Sequence, residues 1–420
     1  MVAEIISVGT EILLGNIVNT NAAYLSEQCA LLGINCYYQD VVGDNRERIM
    51  GILRTALERA DVLLIGGGLG PTPDDLTKET CAEVLGKQLY MDEAVKTSIL
   101  DFFNRKGITP ASNNFKQALV PEGAVVLENP NGTAPGLILE ANGKHLILLP
   151  GPPNELVPMF EEKVKPYLQN LVPGTIYSKM VKLCGVGESA VAEQIADLIE
   201  GQTNPTIATY AKTGEVHLRV TAKAEDEKAA KQLVKPMVKE LKERFGNHIY
   251  STENDTTLEK AVVDLLLANK LTVATAESCT GGLLAGRLIN VAGVSDVFKN
   301  GLITYSNKSK HRLLGVKKKT LEKHGAVSKE TAEEMAKGLA ALTKADVAVS
   351  VTGIAGPDGG TDKKPVGLIY ISCSVCGKTT TREFTFTGNR AKVREASVAA
   401  GLNLMRESIL EYYSKEIFGS

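Results

Sequence analysis

The sequence predicts an α/β protein built in three parts, and three observations carry that prediction. Short apolar runs alternate with amphipathic, helix-like stretches over residues 1–170 and again over residues 251–420. Several of these runs stop at glycine-rich turns that open a helix, which is where open α/β sheets bind ligands. The 420 residues also exceed one ordinary core, since single cores rarely grow past about 250–300 residues.

The first part, 1–170, reads as a strand over 4–8, a helix over 21–32, a strand over 35–42 and a helix over 46–59 behind the cap-like Asp44-Asn45. The apolar run Asp61-Val-Leu-Leu-Ile65 then enters Gly66-Gly-Gly-Leu-Gly-Pro-Thr-Pro-Asp74-Asp75, with a helix expected after Lys78. Farther on, Lys144-His-Leu-Ile-Leu-Leu149 is a strand delivered into Pro150-Gly-Pro-Pro153, whose prolines suit a helix start. These units predict a parallel sheet. The middle part, 171–250, is a small α+β module with strands over 177–184 and 215–222 and helices over 189–200 and 227–245. Its Gly185-Val-Gly187 reads as a plain turn or a weak match to a nucleic-acid-binding glycine loop.

The third part, 251–420, follows the polar stretch 251–257. A helix over 258–269 leads into a strand over 271–276 and a second helix over 283–290. Strands are expected over 298–305, 347–351, 366–375 and 379–386, and helices over 328–342 and 391–414.

Composition narrows the function. A net charge of −2 with 23% charged residues leaves no polybasic tail, which favours small ligands over polymers. No apolar run approaches a membrane span, and the first residues lack a signal-peptide pattern, so a cytoplasmic protein is expected. Seven scattered cysteines predict reduced thiols, and Cys373-Ser-Val-Cys376 lies on a strand, where its two thiols face opposite sides.

The chemistry gathers around Glu277-Ser278-Cys279-Thr280-Gly281-Gly282, where a buried strand becomes a helix. Ser278 reads as a nucleophile or as a simple helix cap. Tyr305, Lys308 and Lys310 close the next expected strand with a phenol and two amines, groups that act as bases once burial lowers their pKa. With few histidines available, Ser-Lys and Ser-Tyr-Lys arrangements are favoured over Ser-His-Asp. Thr352-Gly353 repeats the strand-to-turn pattern, and Arg390 and Arg394 lie one helical turn apart, as a phosphate site or a solvated face.

Taken in order, Ala276-Glu-Ser-Cys-Thr-Gly-Gly282, Tyr305-Ser-Asn-x-x-Lys310, Gly325-Ala-Val-Ser328, Thr352-Gly-Ile-Ala-Gly-Pro357, Lys364-Pro-Val-Gly367 and Gly388-x-Arg390-x-x-x-Arg394 closely resemble the nicotinamide-mononucleotide deamidase domain of the CinA, competence/damage-inducible, family. The resemblance implies hydrolysis of nicotinamide mononucleotide to nicotinate mononucleotide and ammonia, without a cofactor. It places Ser278 as nucleophile, Lys310 or Tyr305 as base, and Thr352 with the turn amides near Gly281, Gly282 and Gly353 around the developing oxyanion. Arg390 and Arg394 would hold the substrate's phosphate. Cys279 is a rival nucleophile whose side chain should diverge from its neighbour's.

Gly9-Thr10-Glu11, Val42-Gly43-Asp44-Asn45, the Gly66–Thr77 stretch, Gly132-Thr-Ala-Pro-Gly136 and Leu149-Pro-Gly-Pro-Pro153 resemble the same family's molybdopterin-binding-like first domain. That resemblance implies a pyrophosphatase acting on ADP-ribose with a divalent metal, Mg, Mn or Co. Asp44, Asp74 and Asp75 would be its ligands or, alternatively, helix caps, and Gly67, Gly68, Gly70, Thr72 and Thr77 would lie against the substrate. The middle part resembles the family's KH-like module, without the basic, aromatic surface that strong nucleic-acid binding needs. The family implies a homodimer. Two rival functions follow from the same resemblance: a nucleotide-binding adaptor for competence or DNA-repair partners, and a first domain that serves molybdenum-cofactor synthesis.

Overall fold

The computed structural model describes residues 1–172 and 174–418, and the chain divides into two compact units. One holds Met1–Tyr177 with Lys223–Ala230; the other holds Ser178–Ala222 with the described residues from Lys231 onward.

In the first unit, strands β1 (Val2–Val8), β2 (Asn35–Val42) and β3 (Val62–Gly66) are parallel, with β1 in the middle. The short strands β4 (Leu89–Met91) and β5 (Leu119–Pro121) form a separate ribbon. Strands β6 (Val125–Leu127), β7 (Gly136–Ala141) and β8 (Lys144–Leu149) complete a six-stranded sheet in the order β2-β1-β3-β8-β7-β6. The expected parallel sheet is therefore mixed, because β7 turns back on β8 through Asn142-Gly143, both at positive φ, as a hairpin. Alternate residues of the central strands enter two cores. Ile6, Val8, Leu63 and Ile65 pack with the helix Arg46–Arg59, and Ala3, Ile5, Val62 and Leu64 pack with the helix Thr20–Leu31 and Phe160. Burial on both faces explains why these strands read as continuous apolar runs.

The middle part folds as β9 (Thr175–Cys184), β10 (Thr206–Lys212), β11 (Glu215–Ala224) and β12 (Ile249–Ser251), in the order β10-β11-β9-β12, with a 19-residue helix, Glu227–Phe245. Strand β10 was not legible in the sequence: it is polar, and only Ile207 is buried. Gly185 has φ +72, and a Cβ there would lie 2.5 Å from Nδ2 of Asn403, so packing accounts for this glycine.

Strands β13 (Val273–Glu277), β14 (Phe298–Ile303), β15 (Val347–Gly353), β16 (Leu368–Val375) and β17 (Lys378–Thr385) form the last sheet, ordered β14-β13-β15-β16-β17. The first three are parallel and the last two antiparallel. Residues 304–310, expected to close a strand, instead open the helix Asn307–Leu314. Ser306 and Ser309 cap its start reciprocally, a box that Ser-x-x-Ser advertises weakly. Cys373 is buried and Cys376 exposed, and all seven cysteines are free thiols. Among the described residues, no helix is long and apolar enough to cross a membrane.

The six-stranded and five-stranded sheets each place their first strand between their second and third, so the chain runs from the central strand first to one side and then to the other. The crevice this creates at the carboxyl ends of the strands is the standard ligand position of open α/β sheets. In the first unit the crevice depends on Gly67, whose φ is +101 and whose added Cβ would meet the Val8 carbonyl oxygen at 2.1 Å. A Gly67→Ala protein is expected to lose roughly 2 kcal/mol or more of stability in chemical denaturation, because strain and overlap act together.

Candidate active sites

At the crevice of the last sheet, Ser278 follows β13 and its amide donates to the Val351 carbonyl of β15 at 2.9 Å. Its hydroxyl accepts a 2.9 Å hydrogen bond from Nζ of Lys310, which also donates to the carbonyls of Thr304 (2.8 Å) and Tyr305 (3.2 Å). Lys310 is 1% exposed and Ser278 8% exposed. Burial away from water brings the Lys310 amine down to about 8, the usual effect of desolvating a cation. A neutral amine keeps a lone pair, so at this position it can take the serine proton.

The turn itself is built by a residue the sequence reading passed over. The helix Leu283–Ile289 is capped by Glu277, not Ser278: its Oε2 accepts from the amides of Gly282 (3.0 Å) and Leu284 (3.1 Å), and its Oε1 from Ala285 (2.8 Å). The signal was present as a lone carboxylate ending an apolar strand just before a helix. Gly281 and Gly282 both have positive φ, which the turn requires.

The remaining predicted residues separate into rim and scaffold. The phenol of Tyr305 is away from Lys310: the residue is 62% exposed and its hydroxyl meets Nη2 of Arg390 at 3.4 Å. Arg390 also donates to the Gly356 carbonyl at 2.8 Å. Thr352, expected near an oxyanion, donates its hydroxyl to the Ala326 carbonyl at 2.8 Å. Lys364 donates to the carbonyls of His324 and Val327 at 2.6 Å each, so two of the sequence motifs serve to hold the 324–328 loop. Gly353 is dictated by packing, since a Cβ would meet Cδ1 of Ile369 at 2.3 Å. Arg394, expected to face a phosphate, points at the Ser278 turn and donates to the carbonyls of Cys279 (3.1 Å) and Thr280 (2.8 Å). Burial pushes the Cys279 thiol up to about 11, against the pull of nearby amides and of Lys310, so it stays protonated at neutral pH.

The first unit's crevice is a cavity of about 730 Å³, lined by Gly9, Asp44, Gly67–Gly70, Asp74, Asp75 and the Pro150–Pro153 turn among others. Asp44 accepts from the Thr10 amide (2.9 Å) and hydroxyl (2.8 Å). The Thr72 hydroxyl lies 2.5 Å from both Asp74 and Asp75, and this contact holds Asp74 below the usual carboxylate range. Gly68 lies against Thr77, where a Cβ would sit 2.1 Å from the threonine hydroxyl, and Gly70 lies against Asp75. Thr77 is fully buried and does not line the cavity.

Gln117 and Asn21 line this cavity, and each has a buried amide oxygen without a partner among the described residues; their amide nitrogens are engaged by the Leu69 and Gly151 carbonyls. No three His, Cys, Asp or Glu side chains among the described residues are close enough to hold a metal by themselves. The expected three-aspartate ligand set is thus not assembled: Asp74 and Asp75 are held by Thr72 of their own turn, and Asp44 by Thr10 from the turn after the neighbouring strand. What the residues fit is a cation bound by one or two carboxylates together with phosphate oxygens, as magnesium usually is. Lys116, also unseen in the sequence, donates to the carbonyls of Thr72 (2.8 Å) and Asp75 and so secures this turn.

Comparison with known proteins places this architecture. A competence-damage inducible protein relative from Clostridium beijerinckii is 52% identical over 98% of this chain and 100% of its own length. The chain belongs to the CinA family. Another CinA-family relative, from Clostridium acetobutylicum, is 51% identical over 98% of this chain and 100% of that protein. Family models described as "CinA C-terminal domain", "Probable molybdopterin binding domain" and "Damage-inducible protein CinA KH domain" match residues 255–409, 4–170 and 178–251. The solved competence/damage inducible protein from Agrobacterium tumefaciens is 41% identical, covering 36% of this chain and 92% of that one, with a TM-score of 0.35.

The low pKa of Lys310 has a thermodynamic consequence for this CinA-family chain. Between about 8 and the ordinary 10.5, the unfolded chain binds a proton that folded Lys310 does not, so this group's contribution to stability rises with pH. Relative to Lys310→Met, the wild-type protein should gain about 3 kcal/mol across that window in denaturant titrations.

Proposed function

We propose that the chain hydrolyses the carboxamide of nicotinamide mononucleotide, giving nicotinate mononucleotide and ammonia, with Ser278 as nucleophile and Lys310 as base. The observation that carries this reading is the 2.9 Å hydrogen bond from Nζ of Lys310 to Oγ of Ser278, both residues being buried. An amide is a weak electrophile with a poor leaving group, so its hydrolysis needs an activated nucleophile, oxyanion stabilisation and a proton for nitrogen. Neutral Lys310 takes the Ser278 proton as Oγ attacks the carboxamide carbon. The tetrahedral oxyanion accepts from amides of the turn, those of Cys279 and Thr280 standing outside the Glu277 cap. Protonated Lys310 then gives its proton to the carboxamide nitrogen, which leaves as ammonia as the C–N bond breaks; the resulting amine takes a proton from the water that cleaves the acyl ester and returns it to Oγ of Ser278. The exposed Arg390, with the Tyr305 hydroxyl beside it, holds the phosphate at the rim.

In the first unit we propose hydrolysis of ADP-ribose to AMP and ribose 5-phosphate. Support comes from the cavity of about 730 Å³ and from the aspartates and amide side chains that line it. Asp75 and Asp44 would hold a divalent cation that, when bound, neutralises charge on the pyrophosphate. The glycine turn lets backbone approach the phosphates closely, and Gln117 and Asn21 orient the sugar.

Ammonia release from nicotinamide mononucleotide should fall by at least about 1000-fold in Ser278→Ala, and retained activity would overturn the assignment. Because the base must be neutral, kcat/KM should climb with pH and level off above about 8, and fall roughly tenfold per unit below it. In a separate assay with magnesium, manganese or cobalt, Asp75→Asn should abolish AMP release from ADP-ribose while leaving deamidation unchanged.

A further inference from the structure

Most backbone groups of the Ser278 turn have a partner, the amides of Cys279 and Thr280 lying beside the Cys279 thiol. The Ser278 amide reaches Val351, the Gly281 amide returns to the Ser278 carbonyl at 3.1 Å, and the Leu283 amide to the Thr280 carbonyl at 3.3 Å. Glu277 takes the amides of Gly282, Leu284 and Ala285, and Arg394 gives Nε to the Cys279 carbonyl and Nη2 to that of Thr280. Gly281 faces the guanidinium, with a Cβ position 3.4 Å from Nη2, so the arginine closes directly over the turn. Arg394 is half-buried beneath the exposed Arg390 on the same helix, Arg390–Phe418.

We propose that Glu277 and Arg394 act as a two-sided clamp that fixes the nucleophile turn, and that Arg394 is a positioning residue and not a ligand of the substrate's phosphate. This rests on the reading of Ser278 as nucleophile. The carboxylate, at the end of β13, holds the turn's donors, while the guanidinium, from the last helix, holds its acceptors. Charge supports the division of labour: Glu277 already occupies the positive end of the following helix, so that helix end is closed to a substrate anion. Within the Arg390/Arg394 pair the outer residue meets substrate, and the inner one meets the enzyme.

Steady-state kinetics on the full chain separates a positioning arginine from a phosphate ligand. With nicotinamide mononucleotide, Arg394→Met is expected to lower kcat by about 100-fold with little change in KM, the usual scale for a misplaced reacting group. Inhibition by inorganic phosphate should be as strong as in wild type. Arg394→Lys should recover part of the lost kcat, and Glu277→Gln should reproduce the loss, while Arg390→Met should raise KM and weaken phosphate inhibition. An Arg394→Met protein with unchanged kcat, raised KM and weakened phosphate inhibition would overturn the proposal. If Arg394→Met does not fold, the same readouts on Arg394→Lys decide: lost kcat supports the clamp, and lost phosphate inhibition refutes it. Ser278→Ala run alongside keeps the two claims apart, since full activity there refutes the nucleophile and not the clamp's geometry.

Discussion

A lysine side chain carried out of water meets three oxygens, one of them the hydroxyl of Ser278, and the account of the second unit depends on that contact. Desolvation disfavours the ammonium, and the two backbone carbonyls compensate only in part. The balance leaves an amine that titrates at about 8 in place of one that is charged at every physiological pH. The strand-end carbonyls of Thr304 and Tyr305, the helix that starts at Asn307 and the β13–β15 register all converge on this one nitrogen.

The two units reach comparable sites by comparable means. The six-stranded sheet of the first unit and the five-stranded sheet of the second each put their first strand between their second and third, and each of these regions ends in a turn with glycines at positive φ. In each, a basic side chain distant in sequence donates to carbonyls of the turn: Arg394 at Cys279 and Thr280, Lys116 at Thr72 and Asp75. Strand-end turns are only as useful as they are rigid, because a displacement of about 1 Å at a reacting atom can cost about 100-fold in rate. A cation tied to several carbonyls supplies rigidity at a place where glycine removes it.

What the sequence made legible follows from this division. The apolar strands of both cores, the glycine turns and Ser278, Lys310 and Arg390 carry local signals of period, turn chemistry or motif, and the structure brings Ser278 and Lys310 into contact. Lys116 and the amide nitrogens of Gln117 and Asn21 act across the fold, and no local pattern announces what a side chain will meet 40 or more residues away; Glu277 acts within eight residues, as a carboxylate that ends a strand just before a helix. The same limit explains Arg394 and Thr352. Their spacing was visible, but which way each side chain turns depends on packing, and both turn toward backbone carbonyls. The hairpin of β7 on β8 and the polar strand β10 escaped for another reason, since neither changes the apolar period that marks an element.

The central claim is that the Ser278 oxygen becomes covalently bonded to the substrate's acyl carbon. Acid-quenching the protein during turnover of nicotinamide mononucleotide, followed by peptide mass mapping, tests it directly. The account predicts a nicotinate-mononucleotide ester on the peptide carrying Ser278, absent from Ser278→Ala. An adduct on Cys279, or turnover with no adduct and undiminished activity in Ser278→Ala, would contradict it.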